Sequence, residues 1–118
     1  MNYFKELKVW QKAIELVTET YLVTKGFPKD ELFGLVSQIR RCVISIPSNI
    51  AEGCGRKTSK DFSNFLGISL GSCFEFETQI IISKNIGYLT NEQFILLESE
   101  IQHIQNMIIK LQSSLENK

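Results

Sequence analysis

Apolar residues recur along this chain at alternating spacings of three and four, the period of a helix packed along its length. Leu7, Trp10, Ile14, Val17 and Tyr21 mark a first segment from about Glu6 to Lys25. Leu32, Val36, Ile39, Val43, Ile46 and Ile50 mark a second, starting near Lys29 with Asp30 and Glu31 in its first turn. Phe62, Leu66, Ser69, Cys73, Phe76 and Ile80 form the third stripe, and Phe65, Ile68, Leu70, Phe74 and Ile81 widen it beyond one face. Phe94, Leu97, Ile101, Ile104, Ile108, Leu111 and Leu115 form the fourth.

The punctuation between these stripes fits four helices. Gly26 is placed to end the first helix in a left-handed conformation, and Pro28 blocks direct continuation. Gly53 and Gly55 end the second, and Gly87 closes the third. Thr58-Ser59-Lys60-Asp61 resembles a capping box, and Thr90-Asn91-Glu92-Gln93 is a full one. Pro47 falls inside the second stripe, where a proline removes a backbone hydrogen bond and costs about 3 kcal/mol. The stripe stays in phase across it, so the expectation is one kinked helix rather than two. Short links force neighbouring helices to run antiparallel. The expected fold is therefore all-α: an up-down-up-down four-helix bundle, a single domain over residues 1–118.

Composition sharpens this without naming a function. Residues 1–28 carry four Lys/Arg against three acids, net +1; residues 29–60 carry six against three, net +3; residues 61–118 carry three against seven, net −4. A basic segment on an otherwise acidic molecule hints at an anionic partner. The longest wholly apolar run, Phe94 to Leu97, is four residues, against about 20 for a membrane-spanning helix. No secretory signal is read in the first residues. Cys42, Cys54 and Cys73 are odd in number and lack CxxC spacing, which points to reduced thiols in the cytoplasm. Cys42 and Cys73 fall in apolar stripes and are expected in the core, whereas Cys54 lies between two glycines.

The chain offers little to an enzyme. His103 is its one histidine, one position off the fourth seam and with no partner named by the sequence. Glu75 and Glu77 are two apart, so a helix points them in different directions. The paired Glu-x-x-His motifs of di-iron bundles are absent. Gly53-Cys54-Gly55 follows a helix rather than a strand and lacks the Lys-Ser/Thr of a phosphate loop. The expectation is a non-enzymatic protein with no catalytic residue, metal or cofactor.

Two constellations remain. Ser45, Ser48, Asn49 and Glu52 surround Pro47. In a structural reading Ser45 or Asn49 satisfies carbonyls near the proline, and Glu52 pairs with Arg56. In a functional reading Arg56, Lys57 and Lys60 cluster at one end of the bundle, with Arg40 and Arg41 roughly 24 Å away along the same helix. These five are the candidate nucleic-acid-binding residues. Ser63, Gly67 and Gly71 form a stripe of small residues on the third helix, suited either to contact within the bundle or to a subunit interface.

The residues also resemble a known family. Val9-Trp10-Gln11, Phe27-Pro28, Phe33-Gly34-Leu35, Gln38-Ile39-Arg40-Arg41, Ser45-Ile46-Pro47-Ser48-Asn49-Ile50-Ala51-Glu52-Gly53, Arg56, Phe65-Leu66 and Gly71-Ser72 look like the four-helix-bundle proteins encoded in intervening sequences of bacterial 23S ribosomal RNA genes. These are often labelled S23 ribosomal proteins. The likeness runs from Phe4 to about Tyr88, and the fourth helix matches only in pattern. It implies a bundle that assembles into a ring, with five subunits the expected number. It also implies a relation to the accessory proteins of diversity-generating retroelements, which bind nucleic acid and a reverse transcriptase. The implied partners are further copies of the chain, RNA or DNA, or another protein, with no membrane. The zero net charge departs from the basic character of strong nucleic-acid binders.

Overall fold

A computed structural model describes residues 3–116. A 3-10 turn, Phe4–Glu6, leads into α1, Lys8–Thr24; a second 3-10 turn, Lys29–Glu31, precedes α2, Leu35–Cys54. Two longer helices follow, α3, Ser59–Asn85, and α4, Asn91–Glu116. At 1.5 Å per residue α3 is roughly 40 Å long, nearly the full 46 Å length of the molecule. The few residues between α2 and α3, or between α3 and α4, cannot span that distance, so successive helices must reverse direction. Each helix packs on its neighbours in the chain, and α1 also packs on α4, which closes a square with α1 diagonal to α3.

The helix ends follow local chemistry. Thr90 Oγ1 accepts from Gln93 N at 3.1 Å while Gln93 Oε1 accepts from Thr90 N at 3.0 Å, the reciprocal capping box expected there. Thr58 Oγ1 caps α3 by accepting from Asp61 N at 3.1 Å. α3 closes at Gly87, with φ 86°, the one positive-φ residue among those described. Tyr88 N donates to Ser83 O and Gly87 N to Lys84 O, the paired bonds of a Schellman ending. Gly26 does not take the left-handed conformation expected of it; α1 ends instead through bonds from Lys25, Gly26 and Phe27 N–H groups to the last carbonyls. α2 begins later than the acids at 30 and 31 suggest. Gly34 interrupts the chain with φ −110° and ψ −110°, and Glu31 Oε1 accepts from Leu35 N at 3.3 Å, so Glu31 caps α2 rather than belonging to it.

The expected seams of α2, α3 and α4 are the buried ones, except that Leu32 lies exposed before α2 and Phe62, Leu111 and Leu115 are half-buried at the bundle end. The seam expected for α1 is not. Its buried stripe is Val9, Ala13, Leu16, Thr20 and Thr24, one residue, or about 100°, away from Trp10, Ile14, Val17 and Tyr21. The threonine hydroxyls are satisfied within the helix: Thr20 Oγ1 donates to Leu16 O and Thr24 Oγ1 to Thr20 O, each at 2.7 Å. A buried hydroxyl so bonded costs little, and two threonines and an alanine can therefore face the core.

α2 continues without a break through Pro47. Side chains serve the carbonyls around it. Ser45 Oγ donates to Cys42 O at 2.6 Å, Asn49 Nδ2 to Ser45 O at 2.8 Å, and Ser69 Oγ, reaching across from α3, to Ile46 O at 2.9 Å. They fall on either side of Val43 O, the carbonyl that the proline nitrogen itself cannot serve. α3 has the length and composition of a membrane-crossing helix, which the short apolar runs had argued against. Its sides pack on α2 and α4, and Ser69 and Glu77 are bonded to them.

Candidate functional site

The run from Ser45 to Gly53 is first of all a helix-packing device. Gly53 is buried inside α2 rather than ending it. A β-carbon there would lie 2.6 Å from Phe65 Cβ and 3.0 Å from Phe62 Cδ1. Glycine alone permits that approach of α3, a requirement that sequence spacing did not reveal. Above this crossing, Gln38, Arg41, Ser45 and Asn49 of α2 face Ser72 and Glu75 of α3 across an open polar groove of about 440 Å³. Ser45 Oγ lies 2.7 Å from Ser72 Oγ, bridging its floor.

The five candidate basic residues are not gathered into one patch. Arg40 is tied into the fold: its Nε donates to Thr24 Oγ1 at 3.0 Å, its guanidinium reaches Tyr21 O at 3.4 Å, and it stacks 4.5 Å above the Tyr21 ring. It thus places positive charge at the carboxyl end of α1, where the helix dipole favours it. Arg41, its neighbour, points to the polar groove and is exposed. Arg56 pairs with Glu52 at 3.9 Å, as the spacing of four suggested, and lies 4.7 Å over the Phe65 ring. Both partners are about half exposed, so the pair contributes little stability. Lys57 and Lys60 are exposed beyond the end of α2, Lys60 beside Ser63, Asn64 and Glu116.

The small-residue stripe faces outward. A β-carbon added at Gly71 would meet nothing within 4 Å, and one at Gly67 would meet only Gln112 Nε2, at 3.5 Å. Ser63 O accepts from the same Gln112 at 3.2 Å. The stripe does not serve a close crossing within the bundle. Large apolar side chains are exposed beside it, Ile68 and Phe74 on α3 and Ile95 and Ile109 on α4. On the other side of the molecule Phe4, Trp10, Ile14, Val17, Ile44, Pro47 and Ala51 line an apolar groove of about 400 Å³ between α1 and α2. Phe33, at the tip of the α1–α2 link, is 93% exposed.

Titratable groups make no cluster with metal-binding potential among the described residues. Glu75 and Glu77 diverge as expected: Glu75 accepts from Gln79, and Glu77 accepts from Gln102 and Gln105 of α4. His103 is on the exposed surface of α4. Cys42 and Cys73 are buried thiols, both pushed up to about 12, chiefly by desolvation. Cys54 is half-buried, and its thiol is raised by the same cause.

Residues 5–110 match the family model for the 23S rRNA-intervening sequence protein. The chain belongs to that family. The match carries well into α4, beyond the motif-bearing part of the sequence. Among solved structures the chain is similar to a protein of unknown function from the S23 ribosomal protein family of Bacteroides thetaiotaomicron. The two share 26% identity over 88% of this chain and 97% of that one, with a TM-score of 0.82. No curated protein matches the chain. Membership of the 23S rRNA-intervening sequence family thus brings a shared bundle, and the functional reading has to come from the surfaces of this chain.

Proposed function

We propose that this chain is a non-enzymatic, self-assembling scaffold protein of the cytoplasm, a homo-oligomer whose subunits close into a ring, five being the number implied by its resemblance. The observation that carries the reading is the inversion of α1. Its buried stripe is Val9, Ala13, Leu16, Thr20 and Thr24, while on the next flank Trp10, Val17 and Tyr21 are half-buried and Ile14 is 39% exposed. A helix that keeps a second, half-covered apolar flank beside its buried stripe has a further surface to cover. Sedimentation equilibrium tests this directly. An oligomer at micromolar concentration is expected; a 13.5 kDa species at all concentrations to about 100 μM, where an affinity of about −5.5 kcal/mol or better would show, refutes it.

A second reading is association with nucleic acid, which the family's tie to 23S rRNA and three exposed cations favour. Arg41, Lys57 and Lys60 form no salt bridge among the described residues. Repetition of these cations around an assembly would multiply their contact with a phosphate backbone. The test is RNA binding at two salt concentrations with Arg41, Lys57 and Lys60 replaced by Ala, leaving the structural Arg40 in place. Binding that weakens with salt in the native protein but is unchanged by the substitutions counts against this reading.

A further inference from the structure

Where α1 ends and α2 begins, the chain forms a cleft of about 440 Å³, inside the range of roughly 300–1,000 Å³ typical of small-molecule sites. Phe27, Pro28, Leu32 and Val36 give it an apolar wall, and Lys25, Lys29 and Arg40 give it charge. Phe27 and Val36 belong to the buried core, so that part of the wall is fixed. Leu32 is 48% exposed and gains most from an occupant.

The charge of the cleft has one sign. No acid lines it. Glu31, in the same link, is held elsewhere: Oε2 accepts from the Tyr88 hydroxyl and Oε1 from Leu35 N. Asp30 is exposed outside the lining. Lys25 and Lys29 are exposed and form no salt bridge among the described residues. Arg40 is fixed by its bonds to Thr24 and Tyr21, and a guanidinium keeps its proton. Thr24 is the last residue of α1 and Val36 the second of α2, and both line the cleft. The two helix ends carry partial charges of about half a unit and of opposite sign, which offset one another. The side chains therefore set the potential, and it is positive.

We propose that this cleft binds a small organic anion with an apolar body, an alkyl or aryl carboxylate, its body against Phe27, Leu32 and Val36 and its carboxylate at Lys25 and Lys29. A wholly polar anion would leave Leu32 uncovered, and a neutral apolar molecule would leave the lysines unused. The assignment stands apart from the self-assembly reading.

Isothermal titration calorimetry of the native protein with octanoate, octanol and acetate tests it. Octanoate is expected to bind one molecule per chain, and octanol and acetate, each with half of the chemistry, at least about tenfold more weakly. Lys25→Gln/Lys29→Gln should weaken octanoate about fivefold, as two exposed ion pairs allow, and Leu32→Asp should abolish binding. Lys57→Gln/Lys60→Gln, the same change of charge beyond the other end of α2, should leave it unchanged. Circular dichroism confirms each bundle, and Leu32→Ser replaces Leu32→Asp if that variant fails to fold. Absence of octanoate binding, equal binding of octanol, binding that persists in the Leu32 variant, or equal loss in both lysine pairs overturns the proposal. Loss of a native oligomer in the Leu32 variant without octanoate binding to the native protein gives the cleft to a second copy, and overturns it too.

Discussion

Replacing Gly53 by alanine should separate α2 from α3. The new methyl group would sit 2.6 Å from Phe65 Cβ, 3.0 Å from Phe62 Cδ1 and 3.3 Å from Phe62 O. Carbon atoms pack best at about 3.5–4.0 Å, so the first contact is short by about 1 Å. A flexible side chain could swing aside, but Phe65 Cβ is bonded directly to the α3 backbone and Phe62 O is part of it. The helices themselves must move. Overpacking of this kind costs about 1–3 kcal/mol, and a backbone-anchored clash belongs at the upper end. Against it, alanine gains about 1 kcal/mol over glycine in a helix. The expected net loss is about 2 kcal/mol, or about 8 °C in Tm for a chain of this size.

The assay is urea and thermal unfolding followed by helical circular dichroism. Gly55→Ala is the internal control. Gly55 has φ −83° and its nearest atoms are 3.6 and 3.9 Å away, so that change should be neutral or stabilising by up to about 1 kcal/mol. A Gly53→Ala protein as stable as the native one would refute the close crossing, and with it the packing role assigned to the Ser45–Gly53 run.

Arg40→Ala removes the bonds to Thr24 and Tyr21 and should cost about 1–2 kcal/mol in urea unfolding; no loss would return Arg40 to the candidate binding residues. Thr90→Ala breaks the capping box at the start of α4 and should cost about 1 kcal/mol, measured the same way. In the native protein a thiol reagent should modify half-buried Cys54 first, with Cys42 and Cys73 following only as the bundle opens; equal rates at all three would contradict their burial. Both core thiols are raised to about 12 from an ordinary 9.0, so the folded state keeps protons that the unfolded state releases. Stability from this source is whole below about pH 9 and falls as pH rises toward about 12; a Cys42→Ala/Cys73→Ala variant should show a shallower alkaline decline.

Much of the fold could be read from the sequence because its signals are local or periodic. The Thr90–Gln93 box, the Thr58 cap and the Gly87 ending each depend on residues within a turn of one another. The α2, α3 and α4 seams were legible because their largest apolar residues do face the core. The packing roles of Gly53 and Arg40 were not legible for the opposite reason. A glycine before Cys54-Gly55 reads as a helix end, and only the placement of Phe62 and Phe65 on a second helix shows it as a crossing point. Arg40 finds partners 16 and 19 residues back, across the α1–α2 link. Nothing in its immediate neighbourhood distinguishes it from exposed Arg41.

The α1 seam failed differently, and the failure bears on function. Seam reading assigns the largest periodic apolar residues to the core, which is sound when the core is the only apolar environment. On α1 two stripes one residue apart compete, and the poorer one, with Ala13 and Thr20, is buried. Burying Trp10 and Ile14 fully would rotate α1 by about 100° and turn Val9 and Leu16, together with the threonines, toward solvent. The observed rotation keeps Arg40 stacked on Tyr21 and bonded to Thr24, and leaves the groove of Trp10, Ile14 and Val17 open. The rotation therefore has a gain inside the molecule, the Arg40 contacts, and the cost is a flank that the bundle covers only in part. On that flank Ile14 is exposed where Trp10, Val17 and Tyr21 are half-buried, so Ile14 is the residue that self-assembly, as proposed, would cover.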